Sequence, residues 1–315
     1  MIIVVGETLV DLIEDGAGRP VAHPGGSPAN VAVALARLGL STGLLTQLGD
    51  DPHGELLRAH LRDNGVRLAP GSLLDGAPTS VARTTFDGDG QPRYAFEVTW
   101  RAFDAAHLAM PTAAPDCLHT GSLASVLAPG ADDVLALVRA ARSATMVSYD
   151  PNCRPALMGD PRLTARRIET LVRQSDIVKV SVEDLAWLYP EDSYEQVARR
   201  WTDAGARLVA VTLGGQGAWA RSHVAEARVD GVAVDVVDTV GAGDAFMAGL
   251  LTGLGDRGLL GAGHRGALGA ADADVLRPVL AHAARIAALT CARRGADPPT
   301  RAEVAAMGWS APASA

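Results

Sequence analysis

Little in this chain is aromatic: Phe, Trp and Tyr make up 4% of its 315 residues, so Ala, Val and Leu must do most of the packing. No run of about 18 uncharged apolar residues occurs, which excludes a membrane-spanning helix as an expectation. The N-terminal MIIVVGETLVDLIEDG is apolar, but it lacks a basic segment and is interrupted by Glu7 and Asp11, so no signal peptide is expected there. Cysteine is scarce too. Cys117, Cys153 and Cys291 lie far apart with no CxxC, which argues against a zinc ribbon, a redox pair or a disulfide framework and fits reduced thiols in a cytoplasm. A basic excess is also missing. The formal charge of −8 speaks against a nucleic-acid surface, yet it leaves anionic small molecules open, because backbone amides bind them without net basicity. With no HExxH, histidine cluster or carboxylate cage, a metal site made of protein groups alone is not expected.

What the chain does contain is the composition of a folded protein, 48% apolar and 20% charged, in a length that suits one large α/β domain, with or without a smaller lobe. Short apolar runs at 1–6, 42–49, 116–121, 145–150, 176–181 and 207–215 end in polar or glycine-rich turns. Helical patterns such as SPANVAVALARLG, DDVLALVRAAR and YEQVARRWTDAG lie between them. That alternation predicts a mostly parallel sheet covered on both faces. Two stretches break the rhythm: 12–24 reads as a loop or short strand, and 77–101 alternates around DGDG like a β-hairpin. The hairpin is either a lid outside the core or an antiparallel edge of the main sheet. Residues 255–270 hold six glycines and read as a mobile loop or a helix end followed by one. TCARRGADPP reads as the end of the last helix, with a frayed tail after Met307.

Four segments could carry chemistry. In VVDTVGAGDAF, strand-like VDVV feeds a glycine-rich turn and then the helical AFMAGLLTGL. Amides from Val240 to Gly243 would face outward at the positive end of that helix, an anion site by construction. The loop is neither GxxxxGK[ST] nor GxGxxG. Asp244, which follows it, is either a favourable first-turn acid or a catalytic group. In HPGGSPANVAVALARLG, Ser27 can cap a helix, Pro28 suits its first turn and Gly39 can end it. Capping alone would account for that segment, but Gly25, Gly26 and Asn30, with Asp11, also offer donors and acceptors suited to hydroxyls. TLGGQGAWA is either a tight turn or a backbone cradle for nucleotide phosphates. In DPNCRP, Arg154 could hold a polar or anionic group, or the tripeptide Asp-Pro-Asn simply makes a turn.

Taken in this order, the four segments resemble the ribokinase-like (PfkB) carbohydrate kinases. GGSPAN and DTVGAGDAFMAGLL match the two family signatures, and the resemblance runs from GETLVD to CARRGA. GETLVDLI, DPNCRP and KVSVEDLAWL look most like the fructokinase branch. The resemblance implies a three-layer αβα sandwich with a mostly parallel central sheet and a small β-lid. On that basis the core comprises 1–11, 25–76 and 102–310, and the lid 12–24 and 77–101. It also implies ATP-dependent phosphorylation of a sugar hydroxymethyl group, most simply fructose to fructose 6-phosphate. A 2-keto-3-deoxygluconate kinase is the alternative, followed by ribokinase or nucleoside kinase activity; an inactive sensor on the same fold is a different class.

Position by position, the resemblance makes Asp244 the catalytic base and Gly241, Ala242 and Gly243 the anion hole. It gives Asp11, Gly25, Gly26, Asn30 and Arg154 to the sugar, and Thr212, Gly214, Gly215 and Gly217 to the nucleotide. Asp238, with carbonyls near Val240, Arg293 and Gly295, corresponds to a monovalent-cation site, usually potassium. Magnesium would accompany ATP. Here the chain departs from the family: the usual Asn-x-x-Glu is replaced by Ser181-Val182-Glu183-Asp184. Asp184 is one methylene shorter than Glu, so its part in organising the metal's waters is open, and Glu183 stands as the other candidate. The lid also suggests a homodimer.

Overall fold

The structure is a computed structural model that describes residues 1–14, 18–86, 92–103 and 114–307. Its strands, in chain order, are β1 (Ile2–Val5), β2 (Leu9–Glu14), β3 (Pro20–Gly25), β4 (Thr42–Leu45), β5 (Leu48–Gly49), β6 (Arg67–Leu68), β7 (Leu73–Leu74), β8 (Val81–Phe86), β9 (Pro92–Glu97), β10 (Cys117–Gly121), β11 (Met146–Asp150), β12 (Ile177–Ser181), β13 (Leu208–Thr212), β14 (Ala218–Ser222) and β15 (Glu226–Val229). Among the described residues the largest sheet has the order β15-β14-β13-β12-β11-β10-β1-β4-β6. Every neighbouring pair from β13 to β6 is parallel, and β14 and β15 close one edge antiparallel.

The pleat sends alternate residues to opposite faces. Ile2, Val4, Ile177, Leu208 and Ala210 join one core with the helices Ser27–Arg37, Ala242–Gly255 and Ala273–Cys291. Val5, Val178, Val180, Val209 and Val211 join a second core with Gly130–Ala141, Pro161–Val172, Val182–Leu188 and Tyr194–Asp203. The result is the expected three-layer αβα sandwich. Aliphatic residues predominate in both cores, with Phe246 in the first and Trp100, Tyr149, Trp201 and Trp219 in the second.

The alternating stretches settle into a separate sheet, β3-β2-β8-β9, so the 77–101 pattern is not an edge of the main sheet. Residues 12–24 are strand on both sides of residues 15–17, which lie outside the described residues, as do the DGDG turn and the tail beyond Met307. The small sheet is anchored by one face: Val10, Leu12 and Val81 pack against Leu48 and Leu57.

Three expectations are corrected. VDVV is not a strand; Val236 and Val237 are exposed, and the amides of Val237 and Asp238 donate to the carbonyl of Cys291 at 2.8 and 3.1 Å. The glycine-rich 255–270 is built into the fold: it contains the short helix Arg265–Gly269, and Arg265 Nε donates to buried Asp176 at 2.7 Å. A further helix, Arg301–Ala306, follows the expected last one, started by a Thr300/Glu303 capping box.

Candidate active site

Strands of an open parallel sheet end where ligands gather, at their carboxyl edge. Two concave spaces open at that edge here. One is a cleft of ≈ 320 Å³ lined by Asp11, Gly26, Asn30, Arg154, Gly241 and Asp244, among others. The other, of ≈ 360 Å³, is a groove lined by Ser181, Asp184, Thr212, Gly214, Gly215, Gly217, Ala242 and neighbours. Thr239, Gly243 and Asn152 line both, so the two spaces meet at the start of the helix Ala242–Gly255.

That start is shaped by Gly241, which takes φ 75° as the helix N-cap. A side chain there would be strained and its Cβ would lie 2.6 Å from Ala296 Cβ. The amide of Ala242 makes only a 3.3 Å turn contact with Thr239, and the first-turn amides lack carbonyls one turn back. Just inside sits Asp244, 6% exposed. Its Oδ1 accepts from Ser27 Oγ at 2.7 Å and its Oδ2 from Asn30 Nδ2 at 2.9 Å. Burial pushes the Asp244 carboxyl above the usual range, opposed by those two hydrogen bonds and by the positive charges of Lys179 and Arg154.

Ser27 therefore does not cap its helix, as its position suggested. Gly26, with φ 99°, occupies the cap, and a Cβ there would lie 2.7 Å from Glu7 O. Ser27 falls one residue later, where its hydroxyl reaches across to Asp244. Gly39 does end that helix, at φ 88° with its amide on Ala36 O. Gly25 stands behind Asp11 rather than on the cleft; a Cβ there would lie 2.2 Å from Asp11 Oδ2. Asp11 itself comes from β2, and burial raises its pKa to about 6 against the pull of His23 and Arg154. In register with it across the small sheet lie His23, Ala82 and, paired to Ala82, Phe96. Arg154 is exposed and its Nη1 donates to Asn152 Oδ1 at 2.8 Å.

In the groove, Gly215 has open space where a Cβ would stand. The exposed Val232 and Val236 form an apolar wall with Val234, Ala284, Ala287 and Ala288. Two of the three valines of the VDVV run thus line a groove instead of filling a core. Asp184 is buried and its oxygens are engaged. Oδ1 accepts from Cys153 N at 2.9 Å and Oδ2 from Ser181 N at 3.3 Å, completing a capping box with Ser181. Glu183 is exposed on the same groove, beside Gly214.

The last predicted set clusters beyond the helix start. Asp238 accepts from Val240 N at 3.0 Å and Gly295 N at 2.9 Å. Burial opposes ionisation there, but the amides of Val240, Gly295 and Thr239 hold the carboxyl below its ordinary value. The Arg293 side chain turns away to Glu303 at 2.6 Å, and the carbonyl of Gly295 accepts from Asp297 N at 2.9 Å. No cluster of three or more His, Cys, Asp or Glu suited to a metal occurs among the described residues.

Several site residues escaped the motifs. Glu7 is buried on the cleft, accepts from Ala124 N at 2.9 Å, and is pushed up to about 7 by burial. Lys179 and Asp150 form a buried pair at 2.9 Å. A lysine within the apolar DIVKVS run was the available signal, since a buried charge needs a partner.

Comparison with known proteins bears on this geometry. A family model described as pfkB family carbohydrate kinase matches residues 1–302. The fructokinase of Rhizobium leguminosarum bv. trifolii is 34% identical over 263 residues, 81% of this chain and 79% of that protein. The structure is similar to the ATP-bound fructokinase from Xylella fastidiosa, with a TM-score of 0.84, 27% identity and 97% of each chain covered. It is also similar to a double mutant of the Vibrio cholerae O395 fructokinase with fructose, ADP and a potassium ion bound, with a TM-score of 0.79, 29% identity and 97% of each chain covered.

Proposed function

The chain belongs to the pfkB family of carbohydrate kinases, and from that premise we propose that it is a fructokinase, moving the γ-phosphoryl group of ATP to the 6-hydroxyl of fructose. It is a sugar kinase, a phosphotransferase with an alcohol as acceptor. One observation carries our assignment of roles: the two clefts share Gly243, Thr239 and Asn152, with Asp244 on one side of the junction and the glycine cradle on the other. A sugar in the first and a nucleotide in the second would bring hydroxyl and phosphate together there.

Phosphoryl transfer needs positioning and charge stabilisation more than covalent help. Asp244 accepts the proton of the attacking hydroxyl, and Ser27 and Asn30 hold its carboxylate in place. The amides around Gly241, Ala242 and Gly243 take the charge of the moving group. Asp11, Gly26, Asn30 and Arg154 face the sugar, while Gly25 keeps room for Asp11. Thr212, Gly214, Gly215 and Gly217 receive the phosphates, and the valine wall receives the base. Magnesium bound with ATP supplies neutralisation of phosphate charge. Glu183 suits its waters better than Asp184, whose oxygens already accept two backbone amides. For a monovalent cation, Asp238 and the carbonyls of Val240, Arg293 and Gly295 are the candidates, favoured by the potassium in the Vibrio cholerae relative.

The small sheet acts as a lid, because Leu9, Asp11, Ala82 and Phe96 place it over the sugar cleft; closure there would exclude water as a competing acceptor. Ile13 and its cross-strand partner Val21 are exposed on the Asp11 face, which supports a homodimer through the lids. The three free cysteines suit a reducing cytoplasm. A coupled ATP-consumption screen tests the substrate. Fructose should give the highest sugar-dependent turnover among fructose, ketodeoxygluconate, ribose, tagatose and nucleosides. Turnover led by another sugar, or independent of any sugar, would contradict it.

A further inference from the structure

Lys179 stands on β12, its side chain 3% exposed, between the aliphatic residues Ile177, Val178 and Val180 of that strand. Its Nζ donates to Asp150 Oδ2 at 2.9 Å, and Asp150 lies at the end of the neighbouring β11. The same Nζ would stand 2.9 Å from a Cβ placed on Gly243, so the ammonium lies directly against the first turn of the helix that carries Asp244. Lys179 also lines the nucleotide groove.

The charges around it are unbalanced. Asp150 on β11, Asp184 on the helix Val182–Leu188 and Asp244 on the helix Ala242–Gly255 all act on Lys179. His119 on β10 is neutral, its pKa pushed down to about 3 by burial and by Lys179 itself. Arg154, from the loop after β11, is the other cation acting on Asp244, and it is exposed. Three buried acids beside a site that must receive a polyanion are electrostatically costly, and one buried cation among them is the counterweight.

We propose that Lys179 is a positioning residue of phosphoryl transfer, whose buried ammonium keeps the Asp244 carboxylate ionised while the nucleotide's charge arrives beside it. This rests on Asp244 being the base. It makes the Asp150–Lys179 pair a functional device: Asp150 holds the ammonium under Gly243 and limits its pull on Asp244.

The sign of each variant follows. Removing the cation should raise the pKa of Asp244, so turnover is lost at higher pH. Removing Asp150 alone takes a negative charge from the neighbourhood, so the pKa should fall. Lys179→Met alone would leave Asp150 buried and unpaired and is at risk of misfolding. The double variant Lys179→Met/Asp150→Asn avoids that. The readout is the acid limb of kcat at saturating fructose and ATP, which excludes groups that only affect sugar affinity, such as Asp11. Lys179 lies nearer the Asp244 turn than Asp150 does, so we expect the limb still to move up in the double variant, but by less than the about 1–3 pH units that the loss of one uncompensated neighbouring charge gives. In Asp150→Asn it should move down. A limb that stays in place in either folded variant overturns the inference. Asp244→Asn, measured alongside, separates the failures: near-normal turnover would remove the base assignment and this inference with it. If Asp244→Asn is inactive and the limbs stay put, only the role of Lys179 is lost.

Discussion

At the scale of single residues, the cleft holds carboxyls whose surroundings differ. Asp244 is held by two side-chain donors, Ser27 and Asn30, from one helix turn. Asp11 sits on β2 with a pKa raised to about 6 by burial. If its ionised oxygens accept from sugar hydroxyls, sugar affinity should weaken as pH falls through about 6 and be flat above it. Measuring KM for fructose from pH 5 to 8 checks this, and Asp11→Asn should give a raised, pH-independent KM; a wild-type KM that is flat throughout would contradict the role. Asp244 and its glycines were legible in the sequence because two short motifs, far apart, point to the same chemistry. Ser27 was legible only as a cap, since nothing local shows that a hydroxyl at the first helical position reaches a residue 217 positions away. The Asp150–Lys179 pair was hidden for the same reason: its members stand on neighbouring strands whose register no single sequence states.

At the scale of elements, two glycines of the helix Ala242–Gly255 and its N-cap have different duties. Gly241 shapes the helix start proposed as the anion site, whereas Gly249 lets the helix approach Ala273–Cys291, where a Cβ would lie 2.7 Å from Ala283 Cα. Gly241→Ala places a side chain at φ 75° against Ala296, so we expect a loss of about 1–3 kcal/mol. Turnover should fall with it as the amides shift. Gly249→Val should cost a similar ~1–3 kcal/mol by overpacking, yet leave kcat unchanged below the melting transition. Thermal melts and kcat at 20–25 °C separate the two; equal kinetic damage would deny the anion site its special geometry. Elements were legible where apolar period and caps agree, as for the helix that Gly39 ends. They were misread where apolar residues serve a surface. The Val234–Val237 run has strand composition, but its Val234 and Val236 line a groove, and composition cannot tell a lining from a core. The helix Arg301–Ala306 was missed although its capping box, Thr300 and Glu303, is visible in the sequence.

At the scale of the whole molecule, a sandwich with two mainly aliphatic cores holds both clefts at one edge of its main sheet, and a smaller sheet contributes Leu9, Asp11, Ala82 and Phe96 to the lining of one of them. That architecture was legible from the alternation of strand and helix, because parallel sheets need covered faces. Whether the 77–101 hairpin joined the main sheet was not, because alternation reports one buried face and not which element buries it. The exposed Ile13–Val21 pair gives the molecule a testable quaternary consequence. If lids associate through it, Ile13→Lys/Val21→Lys should convert a dimer to a monomer in sedimentation velocity, with the fold intact by circular dichroism. A wild-type protein that is monomeric throughout would contradict the association.

The central claim is that sugar and nucleotide meet at Asp244, and that this carboxylate takes the proton of the attacking hydroxyl. The most direct test is fructose-dependent ADP formation by Asp244→Asn, with fructose binding followed by calorimetry on the same preparation. We predict kcat lower by about 10²–10⁴-fold, with fructose affinity retained. A folded Asp244→Asn protein that turns over ATP and fructose near the wild-type rate would contradict it.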